Sequence, residues 1–84
     1  MEKTKLSCLK IGQKAVVCKI DLTGAILNRV LDLGFIENSC VKCVNIAPYG
    51  GPIAFCVRGA VVALRRCDAE KITCITIWRG DKNG

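Results

Sequence analysis

The sequence predicts a small, mainly β barrel with one short α-helix, and three observations carry that prediction. First, the chain has 84 residues, enough for one core; a chain this short buries roughly 60–65% of its unfolded surface. Second, its apolar residues make up 51% of the composition and mean hydropathy is +0.35. They fall in short alternating runs broken by Gly and Pro, the pattern of strands and turns. Third, a single segment carries a helical period. We therefore read residues 1–84 as one domain, with a core over about 6–78 and a polar tail over 79–84.

The elements follow in order. Leu6, Leu9 and Ile11 lead into a turn at Gly12. Ala15 to Ile20 reads as a strand, with Val16, Cys18 and Ile20 on one face and Val17 and Lys19 on the other. Asp21 and Thr23 are candidate N-caps for a helix from about Ala25 to Leu33. Along it Ile26, Val30 and Leu33 recur at helical spacing, Leu27 and Leu31 lie beside them, and Asn28, Arg29 and Asp32 take the polar side. Gly34 is placed to end this helix in a left-handed conformation. Cys40 to Ala47 is the next strand. Its apolar positions shift from Val41 and Cys43 to Val44 and Ile46, as a bulge requires.

Pro48-Tyr49-Gly50-Gly51-Pro52 is a turn, because Pro cannot donate to a ladder and paired Gly favours positive φ. Ile53, Phe55 and Val57 then alternate with Ala54 and Cys56. Arg58-Gly59 closes a tight hairpin onto Ala60 to Leu64. Arg66 to Lys71 fits one helical turn, and Thr73 to Trp78 a last strand. Five short strands of this size gain most by curling into a barrel that hides edges and encloses one core. The economical form is a five-stranded SH3-like barrel with the helix in its first crossover.

Composition narrows the function classes. Seven cysteines at irregular spacing suit a reducing cytosol better than a disulfide framework. Apolar runs are too short to cross a bilayer, and the charged N-terminus followed by Leu6-Ser7-Cys8-Leu9 is too short for a signal-peptide core. A cytoplasmic protein without direct membrane insertion is expected. The formal charge of +6 fits attraction to an anionic partner without naming it. There is no histidine, and four Asp and three Glu are scattered without a pair placed for acid–base work. No phosphate-binding GxxxxGKS/T loop is present. The expectation is a binding module, not an enzyme, with no cofactor. Stacking aromatics among the basic residues, which nucleic-acid binding would want, are lacking: Phe35 and Phe55 read as core, so no nucleic-acid partner is expected.

Candidate site residues remain. Cys40-x-x-Cys43 is the one metal-like spacing, but in a strand positions i and i+3 face opposite ways, and filling small apolar sites is the simpler role for these cysteines. Arg29, Arg58, Arg65 and Arg66 are the charges placed to meet a partner, against the alternative of a solvated basic surface. Tyr49 at the tip of the Pro48–Pro52 turn either anchors an interface or folds back over the barrel. Arg29, Pro48, Tyr49, Gly51, Pro52, Arg65 and Arg66 form the candidate partner-binding set.

At this point the ordered motifs become specific. Val30-Leu31-Asp32-Leu33-Gly34-Phe35-Ile36 resembles the "RLLDLGI/M" helix end of the ferrous-iron transport protein A (FeoA) family. Val44 to Ile53 is similar to that family's "V-x-x-A-P-x-G-x-P-I" segment. Arg58-Gly59 with Ala63-Leu64-Arg65-Arg66 and Ala69 is similar to its "R-G-x-x-x-A-L-R-R-x-x-A" ending, and Leu6-x-x-Leu9-x-x-Gly12 fits its leader. The resemblance runs from about Leu6 to Ile75. It departs from the family at Glu37-Asn38, where Pro-Gly is usual; Asn tolerates the left-handed conformation that Gly would supply.

The resemblance implies an SH3-like barrel serving as a cytosolic accessory of a bacterial ferrous-iron uptake system. It implies as partner a FeoB-type membrane permease with a cytosolic GTPase domain, with weak self-association left open. The alternatives are a cysteine-based metal-sensing or metal-delivery protein and, third, a DNA-linked iron regulator barrel.

Overall fold

The computed structural model describes residues 3–77. In chain order these form β1 (Lys3–Lys5), a 3-10 turn (Leu6–Cys8), β2 (Lys14–Ile20), α1 (Gly24–Leu33), β3 (Cys40–Ile46), β4 (Ile53–Val57), β5 (Ala60–Leu64), α2 (Arg66–Ala69) and β6 (Ile72–Thr76). All the strands join one antiparallel sheet in the order β1-β6-β2-β3-β4-β5. Among the described residues the sheet therefore has six strands where five were expected, and its ladder is not closed: β1 and β5 form its two edges.

The additional strand is Lys3–Lys5. Its polar residues give no apolar alternation; pairing with β6, from Lys3↔Ile75 to Lys5↔Thr73, holds it in place. Trp78 and the tail expected over 79–84 lie outside the described residues.

Two bulges bend the sheet over its core. The one in β3 lies between Cys43 and Asn45, leaving Val44 as the extra residue, where the apolar positions shift phase. The other, between Val17 and Lys19 in β2, corrects the alternation read from the sequence. Ala15 and Val17 face the core and are fully buried, whereas Val16 and Cys18 are half-buried. The extra residue at Cys18 resets the phase, so a simple period of two over 16–20 misplaces the faces.

Phe35 and Phe55, both without exposed surface, meet edge to face at the centre with ring centroids 6.0 Å apart. Around them pack Leu6, Leu9, Val41, Ile53, Val57 and Ile72, with Val30 of α1 and partly buried Ile26, Leu27 and Leu33 closing one side. Cys43 and Cys74 are fully buried here, acting as small apolar residues.

The helix ends as a Schellman motif. Gly34 (φ 110°) donates its N–H to Leu31, and Phe35 donates to Val30 at 3.0 Å. The same turn thus caps α1 and drives Phe35 into the core. At the other end Thr23 holds the N-cap position with extended backbone, but its hydroxyl makes no capping bond. Asn38 adopts φ 74°, the left-handed conformation that keeps the turn before β3.

Candidate functional site

The turn between β3 and β4 is built rigidly. Pro48 and Gly51 close it through the Gly51 N–H donating to the Pro48 carbonyl at 3.1 Å, and Ala47 donates to Pro52 at 3.0 Å just outside. The two central residues, Tyr49 (φ 60°) and Gly50 (φ 73°), are both left-handed, as a type I′ turn requires. Gly51 is needed for a different reason: a Cβ there would fall 2.8 Å from the Ala47 Cβ and 3.1 Å from the Pro48 carbonyl oxygen.

Tyr49 is the unusual member. A bulky side chain at positive φ is strained, and this one is 103% exposed. It stands off the barrel and does not fold back over it. A fixed, fully solvated aromatic ring is a ready anchor for another surface.

Beside the turn, the first residues after β5 return to meet it. Ile53 pairs with Leu64, so Pro52 and Arg65 leave the ladder side by side. Gly50, Gly51, Pro52, Arg65, Arg66, Cys67 and Glu70 line an open groove of about 460 Å³. The Arg65 guanidinium Nε donates to the Asp68 carboxylate at 3.2 Å, with Arg65 side chain 75% exposed and Asp68 nearly buried. This i,i+3 pair directs Arg65 outward across α2. Arg66 points the other way, half-buried, reaching the Gly51 carbonyl at a long 3.5 Å. Its Nε is buried, with no hydrogen-bond partner among the described residues.

The structure thus brings together Gly51, Pro52, Arg65 and Arg66, with Pro48 and Tyr49 on the adjoining turn. Arg29 is exposed on α1 and is not part of this groove. Glu70, Cys67 and Gly50 also line it, although no sequence feature selects them as site residues. The Arg65-x-x-Asp68 spacing over a helical turn was the usable signal for how this corner is ordered.

The cysteines are arranged differently. Cys40 is exposed and Cys43 buried, on opposite faces of β3. Burial raises the Cys43 thiol pKa, against a lowering by the Asn45 backbone. Cys74 is pushed up to about 11, by burial first and then by the neighbouring Cys8 and Cys18. Such thiols stay protonated near neutrality and are poor nucleophiles and ligands. Among the described residues no three His, Cys, Asp or Glu side chains are grouped to hold a metal ion, and no helix is long and apolar enough to cross a membrane.

Comparison with known proteins places this geometry. A family model described as the FeoA domain matches residues 4–75. The Fe(2+) transport protein A/Fe(2+) transporter FeoB fusion protein of Porphyromonas gingivalis is 34% identical over 68 residues, 81% of this chain; the chain spans 8% of the length of that relative. The solution NMR structure of the FeoA protein from Chlorobium tepidum superposes with a TM-score of 0.84 at 36% identity, covering 93% of this chain and 73% of that one. The crystal structure of Stenotrophomonas maltophilia FeoA complexed with zinc, described as a prokaryotic SH3 domain protein, gives 0.72 at 32% identity, covering 84% and 88%. The SH3-like fold expected from the sequence is the fold these relatives share.

Proposed function

This chain belongs to the FeoA family, which is associated with ferrous iron transport, and from that premise we propose that it is a non-enzymatic cytosolic accessory of ferrous-iron uptake. In this reading residues 1–84 form one module that binds the cytosolic part of a FeoB-type permease and modulates it. The contact is the 48–52 turn with the adjoining groove: Tyr49 inserts, Arg65 and Arg66 meet acidic or carbonyl groups, and Pro48, Gly51 and Pro52 hold the turn in shape. Ferrous iron is the permease's cargo.

The observation that carries the reading is the P. gingivalis relative, in which transport protein A and the transporter FeoB are one polypeptide. Fusion holds two units at high effective concentration, which suits units that work together. The geometry supports the same reading: an exposed aromatic on a strained turn adjoins a groove lined by Arg65 and Arg66. The S. maltophilia relative is described as a candidate ferrous iron transport activating factor, which agrees with a modulating role.

Calorimetric titration of the chain into the cytosolic domain of a FeoB-type permease tests it. Binding with Kd below about 100 µM is expected, weakened roughly tenfold or more by Tyr49→Ala. Absence of binding at several times that concentration, about 500 µM, would remove the proposed contact.

A further inference from the structure

The two edges of the sheet are built in opposite ways. β1 is three residues long and carries Lys3 and Lys5, charges that discourage another strand from pairing. β5 reads Ala60-Val61-Val62-Ala63-Leu64, with no charge and no proline. It runs in unbroken register against β4 from Val57↔Ala60 to Ile53↔Leu64, so no bulge twists it out of reach.

Hydrogen-bond direction follows from the hairpin. Where a two-residue turn joins antiparallel strands, the pair beside the turn exchanges both bonds and the next pair exchanges none. Ala60, Val62 and Leu64 therefore turn their peptide groups toward β4, while Val61 and Ala63 turn theirs away from the sheet. Among the described residues, no other element bonds these outward groups. Val61 is 69% exposed and Ala63 is also exposed. This edge offers two donors and two acceptors along an apolar strip.

Its ends are basic. Arg58 stands at the hairpin turn, and Arg65 and Arg66 follow Leu64. Among the described residues the one ion pair is Arg65–Asp68, and Arg58 makes none.

We propose that the β5 edge accepts an extended segment of another protein as an additional strand, and that this segment has an apolar middle flanked by carboxylates. Strand addition would satisfy the outward peptide groups, and the acidic flanks would meet Arg58 at one end and the exposed Arg65 at the other. A second copy of this chain fits less well. Antiparallel self-pairing centred on Val62 sets Ala60 against Leu64 and Arg58 against Arg66, placing like charges together at both ends. This surface adjoins the 48–52 turn and shares Arg65 with the contact proposed there, but strand addition rests on the outward peptide groups of β5 and holds whether or not a permease binds at the turn.

The test uses two synthetic peptides of about ten residues, each with alternating valine and threonine in the middle. One carries two glutamates at each end and the other two lysines. The acidic peptide should bind with Kd below about 1 mM, shift the Val61 and Ala63 amide signals, and bind at least tenfold tighter than the lysine peptide. Ala63→Pro removes one outward N–H while leaving the β4 ladder intact, and should abolish binding. Val61→Lys, at an exposed position that leaves the core untouched, should weaken it as edge lysines do. Equal binding of both peptides, shifts confined to other strands, or no binding at about 1 mM would overturn the proposal. So would a dimer of the free chain that Ala63→Pro dissolves, because the edge would then belong to a second copy.

Discussion

Replacing Gly34 by alanine tests how the helix end is held. Gly34 sits at φ 110°, and a Cβ there would lie 2.7 Å from the Cδ and 3.2 Å from the Cγ of Arg58, with Val57 Cγ2 at 3.4 Å. The Arg58 stem is an exposed, flexible arm that swings aside at small cost, and the Val57 contact is ordinary van der Waals distance. The backbone decides the outcome. A left-handed conformation costs a side chain roughly 1–2 kcal/mol, and φ of 110° lies beyond the left-handed well. Against this, alanine reduces the freedom of the unfolded chain, returning about 0.4–1 kcal/mol.

The net expectation is a loss of about 0.5–1.5 kcal/mol, or a fall in Tm of roughly 2–12 °C for a domain of this size. Thermal unfolding followed by circular dichroism reads it directly. The double variant Gly34→Ala with Arg58→Ala separates the two causes: removing the arginine stem should restore little stability. An unchanged Tm for Gly34→Ala would refute the backbone argument, and full restoration by Arg58→Ala would transfer the cost to the side-chain clash.

Other consequences are as direct. Phe55→Ala deletes half of the central aromatic pair and should cost about 3–5 kcal/mol, most of the stability of a domain this small, seen as loss of a cooperative urea transition. Thiol labelling of the native protein should modify Cys8, Cys40 and Cys67, which are exposed, before Cys43 and Cys74, which are buried; early labelling of Cys74 would contradict the core described. The raised Cys74 pKa has a definite sign in stability. The fold favours the neutral thiol, so its contribution is complete below the unfolded value of 9.0 and is lost as pH rises toward about 11. Urea midpoints should therefore fall more steeply between those values in the native sequence than in Cys74→Val.

Much of the fold was legible because local chemistry and tertiary packing agree. Gly34 ends the helix where the period stops, Arg58-Gly59 closes the hairpin with both residues left-handed, and the β3 bulge lies where the apolar phase changes. β1 was not legible: Lys3-Thr4-Lys5 has no pattern of its own and becomes a strand through pairing with β6. The Cys18 bulge was hidden because Val16, Val17 and Cys18 are all acceptable on either face. At the candidate site the turn and the two arginines could be picked from sequence. Their convergence could not, because it depends on the β4–β5 register that sets Pro52 beside Arg65. Nor could the full exposure of Tyr49, which required the turn's dihedral angles.

The proposed function rests on binding of a FeoB-type permease through the 48–52 turn. It is tested most directly by mapping backbone amide shifts of the labelled chain during titration with the permease's cytosolic domain. Saturable shifts are expected at Tyr49, Gly50, Gly51 and Arg66, and their loss is expected in Tyr49→Ala. Saturable binding with shifts clustered away from that turn, or no shifts at all, would contradict it.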